Sequence, residues 1–459
     1  GNYDRNLTLN TNENVISFNE FIHKEMIHFS KYDCDRSIPN IMDGLKISQR
    51  KILYSAFKKR LHSEIKVAQF SGYVSEHSGY HHGEASLNGA IVGLAQDYVG
   101  SNNINLFSPN GQFGTRLNGG KDSASERYIY TLLSPITRAI FIEDDDHILE
   151  YLNDDGFMVE PIYYAPIIPM LLVNGSKGIG TGFSTDIPCY NPLQIIDYIC
   201  DILNDKPQKV LENYSFLPYY RGFKGKVIQI ESNRFLITGK YVVLDNNTLQ
   251  ICELPIGTWT DDYKKFLETL IDQQSSYVKD FVDNSTDTNV DFRIKMSAGS
   301  IQKLEQNTVD TGANGLEKYM KLVTTITTTN MHAFDCNEHL QLYSSPKHII
   351  HDFIGHRIKL YQKRKTFIIE KLEKELKFME NRRRYICSLL DGTIDLRNKK
   401  KQVIVDILKS KFDVIDDDNE YKYLTKMPMD SVSEENVKDL QNKTKLKFDE
   451  LSKIRNTNV

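Results

Sequence analysis

The sequence predicts a multidomain α+β protein, and three observations favour that class. The chain has 459 residues, more than one hydrophobic core usually holds, which indicates two to four domains. Helix-like spacing up to about residue 140 gives way to alternating, β-branched segments between about 160 and 342. A long stretch almost free of helix breakers then begins at residue 345.

The first region is expected to contain short helices joined by Gly-rich connectors. In SFNEFIHKEMIHFSKY, apolar residues recur at near-helical spacing from Phe18 to Met26. In the second region, KVIQI and RFLITGKYVVL are typical of strands, and DNN at 245 to 247 indicates a turn. We therefore expect this second region to be an α/β module of its own.

The third region predicts one long helix. Pro346 suits a first helical turn, and only Gly355 interrupts the stretch before Gly392. Such a helix extends about 65 Å. The later segment SVSEENVKDLQNKTKLKFDELSKI is also helical in pattern and is expected to return antiparallel against the first. Periodicity leaves open the alternative of two helices packed separately on a globular body.

Composition excludes several classes of protein. No apolar run approaches the roughly 20 residues of a membrane span, and the N-terminus has no secretory signal pattern. The six cysteines lie far apart without a C-x-x-C pair, so we expect reduced structural thiols inside a cell. The formal net charge of -4 argues against a simple polycation, and any binding of nucleic acid must come from local clusters.

One basic cluster lies between Leu45 and Phe70, where seven cations and the single acid Glu64 leave six positive charges: Lys46, Arg50, Lys51, Lys58, Lys59, Arg60 and Lys66. Acidic residues follow between 143 and 155, and again at Asp416 to Asp418. We expect the apolar residues of this basic helix to face a core and Lys46, Arg50 and Lys51 to face out. The helix then lies against a duplex and neutralises phosphates, or it is a solvated basic face.

Two further segments raise chemical possibilities that the sequence alone does not decide. In SGYHHGEASL, His81, His82 and Glu84 invite a metal site, but they lack the H-E-x-x-H spacing that puts two imidazoles on one helix face. In SPNGQFGTRLNGGKDSASERYIYTLL, a glycine-rich loop leads to Arg127 and Tyr128. This pair suits covalent catalysis on a phosphodiester, although a Tyr after an Arg is usually an ordinary amphipathic position.

A glycine-rich loop also follows the apolar run in PIIPMLLVNGSKGIGTGFSTDIP. A Walker loop fails because Gly178 follows Lys177 where Ser or Thr is needed. The dinucleotide fingerprint fails because Phe183 occupies the position of its third glycine. Neither nucleotide site is supported.

In this order, these segments resemble the gate region of type IIA DNA topoisomerases. The resemblance rests on RSIPNIMDGLKISQRKILY, AQFSGYVSEHSGYHHGEASL, GLAQDYVGSNNINLF, PNGQFGTR, GGKD, ERYIY and LLVNGSKGIGTGFST, and later on RGFKGKV, ELPIGTWT, MHAFD and YQKRK. YHHGE, GSNN, GGKD and RYIY are closer to the eukaryotic and large-DNA-virus branch than to bacterial gyrase. The likeness covers most of the chain.

The resemblance implies a domain order: an N-terminal lead-in (1–29), a winged-helix DNA-gate domain with the nucleophile (30–148) and an α/β tower (149–344). An outgoing coiled-coil helix (345–390), a helical C-gate dimerisation region (391–430) and a returning, antiparallel coiled-coil helix (431–459) follow. A homodimer is implied, because one tyrosine cuts only one strand of a double-stranded DNA.

The resemblance also implies roles for particular residues. Tyr128 attacks a DNA phosphate and leaves a 5′-phosphotyrosyl link, Arg127 steadies that phosphate, and His82 assists charge or proton movement. Ile179 wedges between base pairs and bends the DNA. The remaining implied DNA contacts are Lys46, Arg50, Lys51, His81, Gln96 and Lys121.

No ATPase motif and no acidic D-x-D cluster of a Toprim domain is found in the sequence. The resemblance therefore implies Mg²⁺ held by Toprim carboxylates, and ATP used by an ATPase domain, on other segments of the full-length chain or on a separate polypeptide. We expect a nuclear location for a cellular protein, and host cytoplasm or virion for a viral one. The alternatives are a transesterase resembling a tyrosine recombinase or type I topoisomerase, and a non-enzymatic coiled-coil DNA clamp.

Overall fold

A computed structural model describes residues 7–9, 15–273, 276–307, 312–416 and 418–458 of the chain. The described residues fall into two compact units, within residues 1–357 and 358–459. Helices and antiparallel strands both contribute to the first unit, which confirms the mixed α and β class. Asp417 of the predicted acidic run, and parts of the predicted lead-in, lie outside the described residues.

Short helices dominate the start of the first unit, as the apolar spacing predicts. A capping box begins the first of them, because the Ser17 side chain accepts from the Glu20 N–H and the Glu20 side chain from the Ser17 N–H. A π-helical turn, Ile22–Met26, joins the first two helices. The helices of this part are α1 Phe18–Phe21, α2 Ile27–Ser37, α3 Ile47–Lys59, α4 Val67–Ser78, α5 Glu84–Ala95, α6 Thr137–Ile140 and α7 Met170–Asn174.

Three strand pairs accompany these helices: β1 Ile65–Lys66 with β2 Tyr130–Thr131, β3 Tyr151–Asp154 with β4 Phe157–Pro161, and β5 Ser176–Ile179 with β6 Ser184–Ile187. A 3₁₀ turn, Glu143–His147, precedes β3. The core beneath them includes the buried apolar side chains of Ile52, Leu53, Phe70, Ile91 and Phe107. The predicted inward face of the basic helix α3 is thereby confirmed.

The second region of this unit is rich in strands, as the alternating segments predict. A four-stranded sheet has the order β11-β12-β10-β9 and a three-stranded sheet the order β13-β8-β7. The predicted turn at 245 to 247 joins β9 to β10. The elements are α8 Pro192–Leu203, α9 Gln208–Glu212, β7 Lys226–Glu231, β8 Arg234–Thr238, β9 Lys240–Asp245, β10 Thr248–Glu253, α10 Thr260–Asp272, β11 Val278–Asp283, β12 Phe292–Met296, α11 Ser300–Gln306, α12 Gly315–Tyr319, β13 Val323–Thr327, β14 His332–Phe334 and β15 Leu340–Leu342.

The long helix α13, Pro346–Leu390, confirms the prediction for this part of the chain. After it come α14 Lys401–Lys409, α15 Lys422–Thr425, a 3₁₀ turn Met429–Ser431 and α16 Glu434–Asn456. A small core of the second unit joins the end of α13 to α14 and α15. Of the described helices, none combines the length and apolar character that crossing a membrane requires.

In the second unit α16 lies beside α13. Lys447 Nζ is 2.8 Å from the Glu375 carboxylate, Arg455 pairs with Glu373, and Lys365 Nζ donates to the Thr457 carbonyl over 2.6 Å. Partners later in α13 lie earlier in α16, so the two helices run in opposite directions. The predicted antiparallel return is confirmed, and the alternative of separately packed helices is wrong.

Candidate functional site

The segment around Tyr128 is held from both sides by backbone hydrogen bonds. Val67 N–H donates to the Ile129 carbonyl over 3.0 Å and Ala68 N–H to the Glu126 carbonyl over 3.1 Å, at the start of α4. On the other side, Asn110 and Tyr130 exchange two backbone hydrogen bonds of 3.1 and 2.9 Å. The position of the Tyr128 backbone is therefore set by the surrounding fold.

Side chains alternate in exposure along this segment. Ile129 is 1% exposed and anchors it in the core, whereas Tyr128 is 77% exposed. Arg127 is also exposed, and in the part of the chain that the structure describes neither it nor Tyr128 makes a side-chain hydrogen bond or ion pair. A phenol and a guanidinium next to each other are thus open to an incoming ligand.

The glycine-rich loop before Tyr128 is fixed against a distant part of the chain. A Cβ on Gly119, whose φ is +62°, would overlap the indole of Trp259. Gln96 Nε2 donates to the carbonyls of Phe113 (2.9 Å) and Gly120 (3.3 Å). Gln96, predicted as a weaker DNA contact, therefore supports the loop from within.

A buried ion pair secures the same loop. Arg116 pairs with Glu253 at the end of β10, and their side chains are only 7% and 0% exposed. Glu253 also accepts from the Lys224 N–H over 3.1 Å. Because both charges are removed from water, losing either partner would leave an uncompensated buried charge.

His82 lies in a partly buried environment beside two tyrosines. The Tyr32 hydroxyl is 2.9 Å from Nε2 of His82, and the Tyr80 ring contacts the imidazole edge to face. Burial lowers the pKa of His82, and the positive charge of Arg36 lowers it further. A neutral imidazole is therefore favoured, and a neutral imidazole is the form that accepts a proton.

The neighbouring His81 points to solvent. Its side chain is 80% exposed, and Nε2 is 3.6 Å from the Asp154 carboxylate. Among the described residues no group of three His, Cys, Asp or Glu side chains has the geometry of a metal site. The carboxylates near the two histidines therefore do not form the ligand set that Mg²⁺ prefers, and no step below relies on a metal bound by this chain.

The prediction that all three cations of the basic helix face out is wrong for Arg50 and Lys51. Arg50 is 6% exposed and its guanidinium forms two hydrogen bonds with Asp43, of 2.7 and 3.1 Å. Lys51 Nζ is 2.8 Å from the buried Glu160 carboxylate and its side chain is 13% exposed. Both charges are already paired inside the protein.

Lys46 has a supporting position too. Its Nζ donates over 2.6 Å to the Lys177 carbonyl, and burial lowers its pKa. Lys177 belongs to β5, the strand that ends with Ile179. Lys46 therefore fastens the β5–β6 hairpin to the start of α3.

The β5–β6 hairpin presents Ile179 to solvent. Ile179 pairs with Ser184 at the tip and is 85% exposed. Thr181 donates to Asp33 over 2.8 Å, and a Cβ on Gly178 would overlap the Ser37 carbonyl. An apolar side chain on a fastened hairpin is the geometry that a wedge between base pairs requires. Lys121, in the glycine-rich loop, is exposed as well.

The structure does not join every predicted site residue. Tyr128, Arg127, Lys121, Ile179 and His81 are all exposed, but no contact between described residues connects Tyr128 with His82. Sequence reasoning missed four supporting residues: Asp43, Glu160, Glu253 and Tyr32. They lie between 7 and 137 residues from their partners in sequence. Motif spacing gives no signal for such pairs.

The profile of the family described as DNA gyrase/topoisomerase IV matches residues 36–459 of the chain. The chain belongs to this family. The resemblance to type IIA DNA topoisomerases inferred from the motifs is thereby confirmed.

Eukaryotic members are similar in sequence. DNA topoisomerase 2 of Plasmodium falciparum is 48% identical over 349 residues, which are 76% of this chain and 24% of the relative. DNA topoisomerase 2-alpha of Gallus gallus is 44% identical over 350 residues, 75% of this chain and 22% of the relative. The chain thus spans about a quarter of the length of these relatives.

A solved member of the family has the same fold. The DNA-binding, cleavage and re-ligation domain of Plasmodium falciparum topoisomerase II superposes with a TM-score of 0.88 at 43% identity. The match covers 99% of this chain and 64% of that one.

Proposed function

We propose that this chain is the DNA-gate core of an ATP-dependent type II DNA topoisomerase. It binds and bends a gate duplex, and with Mg²⁺ held on Toprim carboxylates it cleaves and religates both strands. The observation that carries the proposal is the exposed Tyr128–Arg127 pair on a backbone fixed from both sides, in a chain of this family.

The proposed chemistry is a transesterification at Tyr128. The phenolic oxygen attacks phosphorus, the bond to the 3′ oxygen breaks, and the 3′ oxygen leaves as a hydroxyl after taking up a proton. The phenolic proton passes to a base, for which the neutral His82 is the candidate. Arg127 stabilises the charge that develops on the phosphate oxygens. Because one ester replaces another, resealing needs no external energy.

The proposed bending is the work of Ile179. Insertion of an apolar side chain unstacks a base step at a cost of a few kcal/mol, which added protein–DNA contacts offset. The hairpin resists being pushed back because Lys46 and Asp33 hold it. Exposed cations such as Lys121 set affinity and placement through phosphates.

The proposed assembly is a homodimer with two symmetric cleavage sites. Residues 30–148 would form the winged-helix domain, 149–344 the tower, 345–390 and 431–459 the coiled coil, and 391–430 the C-gate. The antiparallel α13 and α16 support the coiled coil. ATPase and Toprim segments would be in the same polypeptide or on a separate one, and the site of action would be the nucleus, or host cytoplasm or virion for a virus.

The polarity of the covalent link distinguishes this function from its rivals. The full-length polypeptide is incubated with Mg²⁺ and end-labelled duplex DNA, then denatured to trap protein on DNA. We expect protein on 5′ ends and free 3′-hydroxyls. Protein on 3′ ends would indicate a transesterase of the recombinase or type I topoisomerase kind, and DNA binding without any covalent product would indicate a clamp.

A further inference from the structure

A cysteine and a histidine meet where the β14–β15 hairpin contacts α13. Cys336 lies in the loop after β14, and His356 lies in the third turn of α13. The Cys336 sulfur is 3.1 Å from both ring nitrogens of His356. A thiol at this distance from an imidazole can pass its proton directly to the ring.

A carboxylate orients the imidazole from its other side. Nε2 of His356 is 3.1 Å from Oδ1 of Asp352, one helical turn earlier. The other carboxylate oxygen of Asp352 accepts a 2.7 Å hydrogen bond from the hydroxyl of Tyr343, which is completely buried. Tyr343 therefore fixes Asp352, and Asp352 fixes the ring with one nitrogen directed to the carboxylate.

Nucleophile, base and orienting carboxylate are thus assembled in one cluster. We propose that Cys336 is a reactive thiol, activated by His356 and Asp352, that takes soft carbon electrophiles of the α,β-unsaturated carbonyl class. This site is separate from the Tyr128 site and does not depend on DNA cleavage.

The addition balances without any co-reactant. The thiol proton moves to Nδ1 of His356, and the sulfur forms a bond to the β-carbon of the electrophile. The π pair of its carbon–carbon double bond moves toward the carbonyl as an enolate. The α-carbon then takes a proton from the imidazolium, which regenerates neutral His356.

The charges around Cys336 act in both directions. Asp335 and Asp352 disfavour a thiolate, and Tyr163, whose pKa is raised mainly by burial and also by Cys336, lies close by. The Asp335 carboxylate is, however, engaged by the N–H groups of Asn337 and His339, both over 2.8 Å. The imidazolium in contact with the sulfur is therefore the charge that decides the outcome.

The other cysteines provide controls within the same chain. Cys200 is exposed, whereas Cys336 is half-buried. Cys34 and Cys189 are buried, and burial raises the pKa of both thiols. Accessibility alone therefore favours reaction at Cys200, and activation by His356 favours Cys336.

The test is a labelling time course with N-ethylmaleimide on the folded chain, followed by peptide mass spectrometry. At pH 6 an ordinary thiol is well under about 1% ionised, so we expect Cys336 to react at least about tenfold faster than Cys200. The ratio should fall as pH rises toward about 9, where Cys200 ionises too. Equal rates, or a ratio independent of pH, would overturn the proposal.

Two variants separate activation from unfolding. His356→Gln and Asp352→Asn should each slow labelling of Cys336, by about tenfold for His356→Gln, and leave the rate at Cys200 unchanged. Cys34 and Cys189 report on folding, because they become reactive only if the chain opens. An unchanged Cys336 rate in His356→Gln with Cys34 and Cys189 still protected would contradict the proposal.

Discussion

At the scale of single residues, burial decides which charges are available to DNA. Arg50 and Lys51 belong to a basic run that predicts a DNA-facing surface, yet Asp43 and Glu160 pair with them inside the protein. Sequence spacing identifies the inward apolar face of α3 correctly. It does not identify a carboxylate 109 residues away that neutralises Lys51.

His82 provides a prediction about pH. Burial and nearby positive charge lower its pKa, so the unfolded chain binds this proton more tightly than the folded chain. The contribution of His82 to stability is therefore intact above a pH of about 6.5 and declines as pH falls through that value toward the folded pKa. Arg36→Ala should raise the pKa of His82, because it removes a repelling charge.

NMR titration of labelled histidine measures this effect. Arg397→Ala removes an exposed arginine that does not contribute to the shift and should leave the His82 titration in place. A His82 pKa at or above the ordinary value in the unmodified protein, or no change in Arg36→Ala, would refute the electrostatic account.

At the scale of elements, rigid supports position the reactive side chains. The Tyr128 segment, the glycine-rich loop and the β5–β6 hairpin are each tied to a partner distant in sequence. The sequence predicts the glycines of both loops and the long helix α13. It does not predict that Trp259 and Glu253 hold the loop before Tyr128, because nothing in their local pattern indicates that contact.

The buried Arg116–Glu253 pair predicts a large and asymmetric cost of mutation. Arg116→Ala should destabilise the chain by about 3–5 kcal/mol, because it leaves the carboxylate of Glu253 buried and unpaired. The double variant Arg116→Met with Glu253→Gln should recover part of that loss. Denaturant unfolding measures both, and equal stability of Arg116→Ala and the unmodified chain would contradict this view.

The hairpin that carries Ile179 predicts a steric effect. Gly178→Ala should cost about 1–3 kcal/mol and reduce DNA bending, since its Cβ displaces the Ser37 carbonyl and shifts the hairpin. Gly89→Ala, where a Cβ meets nothing within 4 Å, is the matched control and should bend DNA normally. Bending is read by fluorescence transfer between the ends of a labelled duplex, and normal bending by Gly178→Ala would argue against a fixed wedge.

At the scale of the whole molecule, a chain with net charge -4 must bind DNA through a few local cations. We predict that Lys121→Ala lowers the slope of log affinity against log salt by roughly 0.9, the value for one lost phosphate contact. Lys401→Ala, which removes a lysine paired with Glu420, should leave the slope unchanged. An unchanged slope in Lys121→Ala would remove that residue from the DNA contacts.

Much of the architecture is predictable because its signals are local or repeated. Apolar spacing predicts the early helices, α13 and α16, and alternation predicts the strands between β7 and β10. Tyr128 is different, since by composition it is one of 25 tyrosines. Only its place after GGKD in a family motif distinguishes it, and its exposure and backbone anchoring then give it a physical basis.

The most direct test of the account is covalent trapping of DNA by tyrosine variants. In the full-length polypeptide with Mg²⁺, Tyr128→Phe should form no protein–DNA adduct and keep normal DNA affinity and stability, because the side chain is 77% exposed. Tyr130→Phe, two residues along, should still form the adduct on 5′ ends. An adduct that persists in Tyr128→Phe, or disappears only in Tyr130→Phe, would contradict the assignment of Tyr128 as the nucleophile.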